Sequence, residues 1–307
     1  MVIAGGERPP AIAEECNELI SVEDLSAAVG TQVQTFEKLD AGDTSANLGA
    51  VLCGWSTSDD ADSSDGGAVW VMPRAGMDVQ EFTALGETSG YRCLYRECTA
   101  LTAGVNLLVG ATVPTTSDDE AANDVALATA ARVGTAILEA SGDNPGSWVR
   151  DRESWVDGVD CNGVGSALSD AIGRDVQAWS GLEFDPPRLW GTAADQASRL
   201  TSCEFEAMDD PGVTVIVETD AGMAWTVPRW VQSLGFSETE DDGMSDVASY
   251  TNGDHYYLLS DGTNRVRVYC FDRSGFDSEG QARARDTFPP VLMQETASRI
   301  LAGEFSD

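Results

Sequence analysis

Cys16-Asn17-Glu18-Leu19-Ile20-Ser21-Val22-Glu23-Asp24-Leu25-Ser26-Ala27-Ala28-Val29-Gly30 has a counterpart later in the chain, Cys161-Asn162-Gly163-Val164-Gly165-Ser166-Ala167-Leu168-Ser169-Asp170-Ala171-Ile172-Gly173. Both open on Cys-Asn, carry a Leu-Ser pair and end on a β-branched residue and a glycine. Val33-Gln34 follows the first and Val176-Gln177 the second. Cys53-Gly54-Trp55 then answers Cys203-Glu204-Phe205. Val69-x-Val71 runs into Ala75-Gly76-Met77 as Val215-x-Val217 runs into Ala221-Gly222-Met223. A pattern repeated at this spacing marks one domain present twice. Residues 12–141 make copy one and 151–304 copy two. A linker over 142–150, rich in turn formers, joins them, and residues 1–11 read as a tether.

Local signals outline each copy. Ser21 with Glu23-Asp24 begins a helix, Leu25, Ala28 and Val29 share one face of it, and Gly30 stands where a helix C-cap glycine belongs. Strands are expected at 51–55, 68–72, 91–95 and 105–113, a brief helix around Phe82 and Leu85, and a long helix over 118–140. Copy two repeats this with a helix at 166–172, strands near 201–206 and 213–218, a helix near 228–234, strands at 255–260 and 265–271, and a last helix from Pro289-Pro290. The expectation is an α+β fold of two homologous domains, each α-β-β-α-β-β-α around a mainly antiparallel sheet. Copy two is longer, with the extra length assigned to loops at 235–254 and 272–287.

Seven cysteines lie far apart, without the close Cys or His pairs that zinc requires, and no metal site is expected. Recurrence at matched positions reads as structural disulfides and an exported protein. The positions common to both copies give Cys16–Cys53 and Cys161–Cys203. Cys93 and Cys98 close a small loop in copy one, and Cys270 remains a buried free thiol.

The chain of 307 residues carries 52 acidic and 18 basic side chains, a net charge of −34. Such a field repels phosphate backbones and anionic lipid, so nucleic acid is not expected as a partner. Attachment to a membrane would run only through an anchor missing from this chain, because Met1–Gly6 reads as the trimmed start of something longer. Lys38 is the only lysine; the arginine bias suggests a GC-rich, actinobacterial coding sequence.

Copy one, from Cys16-Asn17 through Ser21-x-Glu23-Asp24-Leu25 to Val29-Gly30 and then Cys53-x-Trp55, resembles the uncharacterised domain of exported actinobacterial lipoproteins. Copy two follows this pattern less closely: Glu23-Asp24 has no counterpart, and Phe205 replaces Trp55. A looser likeness is to the extracellular sensor domains of actinobacterial membrane kinases. The resemblance implies a cell-envelope location on the outer face of the cytoplasmic membrane. It supplies no catalytic residues.

Patterns for nucleophilic hydrolases, nucleotide loops and metalloproteases are absent from the sequence. A triad would need His255, the only histidine, which lies between Asp254 and Tyr256. The acidic runs at 59–62, 118–120 and 238–242 lack the spacing of an EF-hand. Arg265, Arg267 and Tyr269 alternate with Val266, Val268 and Cys270, so the arginines share a strand face and would pair with local carboxylates. The leading expectation is a non-enzymatic binding or sensor protein without cofactor, whose partner is a cell-envelope protein or a small ligand. A carboxylate-dependent hydrolase and a structural assembly subunit are the alternatives. Candidate binding residues are Trp190, Trp225, Trp230, His255 and Tyr256, with function placed in the additions of copy two.

Overall fold

The computed structural model describes residues 2–3, 12–58, 66–74, 93–94, 97–115, 119–144, 146, 149–150, 153–156, 158–180, 199–210, 212–239, 247–253, 256–273 and 278–306. The described residues divide into two compact units, one ending at Arg150 and the other following it. Each is α+β, built on one antiparallel sheet. The expected Phe82–Leu85 helix, the acidic run 59–62 and Ala75-Gly76-Met77 lie outside the described residues.

In the first unit, β1 (Val2–Ile3) pairs in parallel with β8 (Val149–Arg150), joining parts of the expected tether and linker. A single 3-10 turn at Cys16–Glu18 leads into α1 (Val22–Val29). Ser21 Oγ accepts from the Asp24 amide at 3.1 Å, and Gly30 closes the helix at φ 88°. β2 (Thr35–Leu39), α2 (Gly42–Asn47), β3 (Val51–Ser56), β4 (Gly66–Pro73), β5 (Cys93–Leu94), β6 (Glu97–Ala103) and β7 (Leu107–Pro114) follow, and α3 (Glu120–Ser141) closes the unit. The sheet order is β2-β3-β4-β7-β6-β5. Val51, Cys53 and Trp55 alternate inward from β3 and join Val69, Val71, Val109 and Ala111 against Leu25, Ala130, Val133 and Ile137. Lys38 lies on β2, the outermost strand on its side, and its Nζ donates to the Glu14 carbonyl at 3.1 Å.

The second unit runs α4 (Cys161–Ile172), β9 (Val176–Ser180), β10 (Thr201–Ala207), β11 (Val213–Asp220), α5 (Val227–Leu234), β12 (Ser237–Glu238), β13 (Ala248–Thr251), β14 (Tyr256–Ser260), β15 (Arg265–Asp272), α6 (Ser278–Thr287) and α7 (Pro290–Leu301). Its sheet order is β12-β13-β14-β15-β11-β10-β9. The path β2-β3-β4-β7-β6 of the first unit is thus repeated as β9-β10-β11-β15-β14. Val215, Val217, Val266, Val268 and Cys270 pack under Leu168, Ala284, Met293 and Ile300.

Cys16–Cys53, Cys93–Cys98 and Cys161–Cys203 are disulfide-bonded, with Cα separations of 5.9, 4.1 and 5.5 Å. Cys270 is free and buried. The first and third bonds tie the opening helical turn of each unit to the second strand of its sheet path.

Several expectations need correction. Each unit has an additional strand, β2 or β9, before its cysteine strand, and β6 is a further strand beyond those expected in the first unit. The length assigned to a loop at 272–287 holds α6, and 235–254 includes β12 and β13. The valine motifs align differently as well. Cys53 faces Val69 across β3 and β4, whereas Cys203 faces Val217 across β10 and β11. Measured from the disulfide, Val69 therefore corresponds to Val217 and not to Val215. A shift of two residues preserves the sheet face, so the motif looked equally good in either register.

Candidate functional site

The alternation in β15 sends Val266, Val268 and Cys270 into the core and Arg265 and Arg267 to the opposite sheet face. There β11 supplies Glu218 opposite Arg267 and Asp220 opposite Arg265. Asp220 Oδ2 accepts from Arg265 Nε at 2.9 Å and lies 2.8 Å from Arg265 Nη2. The same oxygen accepts from Arg267 Nε at 3.0 Å, and Oδ1 accepts from Arg267 Nη2 at 3.2 Å. Arg267 Nη1 reaches Glu218 Oε2 at 3.2 Å. The side chains of Arg265 and Asp220 are each 1% exposed. Two guanidinium groups and two carboxylates leave the cluster neutral, the condition under which charges tolerate such burial.

α5 covers this cluster. Arg265 Nη1 donates to Thr226 Oγ1 at 2.6 Å, just ahead of the helix. The Trp230 ring lies 4.7 Å from the Arg265 guanidinium carbon and 5.0 Å from that of Arg267, cation–π distances for both. Val227, Phe236 and Leu258 pack alongside. The turn between β11 and α5 is fixed by Asn264, whose Oδ1 accepts from the Gly222 and Val156 amides, each at 3.1 Å. Gly222 sits at φ 71° against the Trp155 ring, where a Cβ would come within 2.3 Å of ring atoms. Backbone conformation and close approach both demand glycine in this Ala-Gly-Met motif.

Burial governs the ionisation of the cluster. It raises the pKa of Glu218 despite the pull of Arg267, and it lowers that of Arg265 despite Asp220. Arg267 is also penalised by burial, but Asp220 and Glu218 together hold its pKa above the usual arginine value. Tyr256 and Tyr269 are raised, chiefly by burial.

The aromatic side chains form a second layer. Phe236 meets Tyr256 edge-on at 4.9 Å between ring centroids, and Tyr256 lies 5.5 Å from Tyr269. Tyr269 and Phe271 are 6.2 Å apart with planes 18° from parallel. Trp230 and Tyr256 of the expected binding set therefore belong to one assembly with the two arginines. Trp225 lies half-buried in the 3-10 turn Ala224–Thr226, beside Thr226. Trp190 and His255 lie outside the described residues.

The first unit carries different chemistry at the same register positions. Trp70 faces Gly110 and Met72 faces Leu108 across β4 and β7, where the second unit has Glu218 facing Arg267 and Asp220 facing Arg265. Thr99 and Thr112, whose hydroxyls hydrogen-bond at 2.8 Å, stand where Tyr256 and Tyr269 do. The cluster is thus built on strands that both units share. Its charged residues and Tyr256, Tyr269 and Phe271 therefore lie on strands common to both units, while Phe236 comes from the added stretch 235–254.

A groove of about 650 Å³ lies between α1 and α3, lined by Ala27, Ala28, Arg132, Thr135 and Glu139 among others. Arg132 spans it, donating Nε to the Ala28 carbonyl at 3.2 Å. Among the described residues no group of three or more His, Cys, Asp or Glu side chains could hold a metal ion, and no helix is long and apolar enough to cross a membrane. Comparison with protein families, curated proteins and solved structures finds no match to this chain.

Proposed function

We propose that this is a non-enzymatic binding protein of the cell envelope, held outside the cytoplasm by an anchoring segment, with recognition assigned to its second unit. Three disulfides suit an oxidising compartment. The observation that carries the reading is the divergence of two copies at matched sheet positions. Trp70, Met72, Leu108 and Gly110 satisfy the scaffold in one unit, so Glu218, Asp220, Arg265 and Arg267 are not required by the fold in the other. Maintaining buried charges costs desolvation that apolar side chains avoid, and a function explains why the second unit bears it. Arginine contacts engage the carboxylates of this cluster, an arrangement suited to holding a fixed surface rather than to shuttling protons.

The test is site-specific photo-cross-linking in intact cells. A photoreactive residue in place of Tyr256 should give an adduct on the cell exterior, whereas one in place of Thr99, its counterpart in the first unit, should not. Adducts from Thr99 alone, or from neither position, would overturn the reading.

A further inference from the structure

The aromatic row of the second unit points to the class of ligand, an inference that rests on the binding role proposed above. Tyr256, Tyr269 and Phe271 lie side by side on one sheet face next to Arg267. All four side chains are half-buried, so each keeps surface open to solvent. The matching positions of the first unit hold Thr99, Thr112, Pro114 and Gly110. Three rings and a guanidinium in the second unit thus stand where the first has four small or conformationally restricted residues.

The chemistry on this face has three parts. The rings offer flat apolar surface with polarisable faces. Arg267, whose side chain is 15% exposed, keeps the second hydrogens of Nη1 and Nη2 beyond its contacts with Asp220 and Glu218. The ionic cluster to which it belongs is neutral as a whole, and Arg267 is its most exposed charge. A polyanion would be repelled by the net charge of −34. A cation would meet Arg267. The remaining match is an uncharged molecule with apolar C–H faces and many hydroxyls. We propose that this face binds a neutral oligosaccharide, its sugar rings resting on Tyr256, Tyr269 and Phe271 and its hydroxyls meeting Arg267.

Titration calorimetry of the intact protein with chitohexaose, laminarihexaose and mannohexaose tests this, with a proline-rich peptide in parallel. At least one hexasaccharide should bind. Tyr269→Ala should weaken it about tenfold or more, the loss of one stacking ring. Tyr269→Phe, which keeps the ring, and Thr112→Ala, the corresponding position of the first unit, should retain it. If Tyr269→Ala does not fold, Phe271→Ala carries the same test at the end of the row. Failure of all three sugars, or sugar binding indifferent to both ring deletions, overturns the proposal. In that event an exterior adduct at Tyr256 would leave the binding role standing with another ligand class, and peptide binding lost in Tyr269→Ala would identify that class as protein. Absence of any adduct would remove the binding role itself.

Discussion

Arg265 and Asp220 form an ion pair sealed from solvent, with two guanidinium nitrogens within 2.9 Å of one carboxylate oxygen. Removing one member leaves the other charged in a dry environment. Asp220→Ala should therefore destabilise the protein by about 3–5 kcal/mol. The first unit shows what the sheet accepts instead, Met72 facing Leu108. The double variant Asp220→Met/Arg265→Leu should recover most of the lost stability in urea unfolding. A double variant as unstable as the single one would show that the second unit depends on the ions themselves.

Glu218 makes stability depend on pH in a defined direction. Burial raises its pKa above the ordinary 4.5, so the folded protein binds this proton more tightly than the unfolded chain does. As pH rises from 4.5 through the folded-state value, the native state holds more protons and the contribution of Glu218 to stability declines. Glu218→Gln removes that proton equilibrium. The wild-type unfolding free energy minus that of the variant should decrease as pH rises from about 4 to about 7.

The cysteines give a countable outcome. Burial pushes the Cys270 thiol up to about 12, and its Sγ contacts the Ala284 carbonyl at 3.5 Å. Native protein should be inert to a thiol reagent at neutral pH, and the denatured, unreduced chain should release one thiol. The disulfides themselves should differ in worth. Cys16–Cys53 and Cys161–Cys203 span 37 and 42 residues, Cys93–Cys98 only 5. Replacing either long-loop pair by serine should cost about 4 kcal/mol and the short one about 2 kcal/mol on chain-entropy grounds.

Gly222→Ala should be poorly tolerated. Its backbone lies at φ 71°, and the added methyl would collide with Trp155. The backbone strain alone is about 1–3 kcal/mol. Fluorescence of the displaced indole should change together with the melting temperature, and an unperturbed spectrum would contradict the contact.

Much of this architecture was legible wherever side chains alternate strictly or cap a helix. Ser21, Gly30 and the valines of β15 announced their elements, and the matched cysteines gave the bonding. β2, β6 and α6 lack that contrast. β2 exposes nearly every residue, so Thr35–Leu39 shows no inward face. β6 is built of Thr and Ala at intermediate burial, with only Cys98 fully inside. α6 is highly charged, and its deeply buried Ala284 gives no apolar stripe. At the site, the two arginines stood out because basic residues are scarce. Glu218 and Asp220 did not, since any pair among 52 acids looks alike until a sheet register selects it.

Lys38 on the outer strand β2 has a practical consequence. It is the only side-chain amine in the chain, and its contact with the Glu14 carbonyl joins that strand to the residues ahead of α1. Acylation of side-chain amines is therefore confined to one position, in the unit that lacks the ionic cluster. A dye or surface linker placed there would label the protein with a single orientation and leave every residue of the aromatic row chemically untouched.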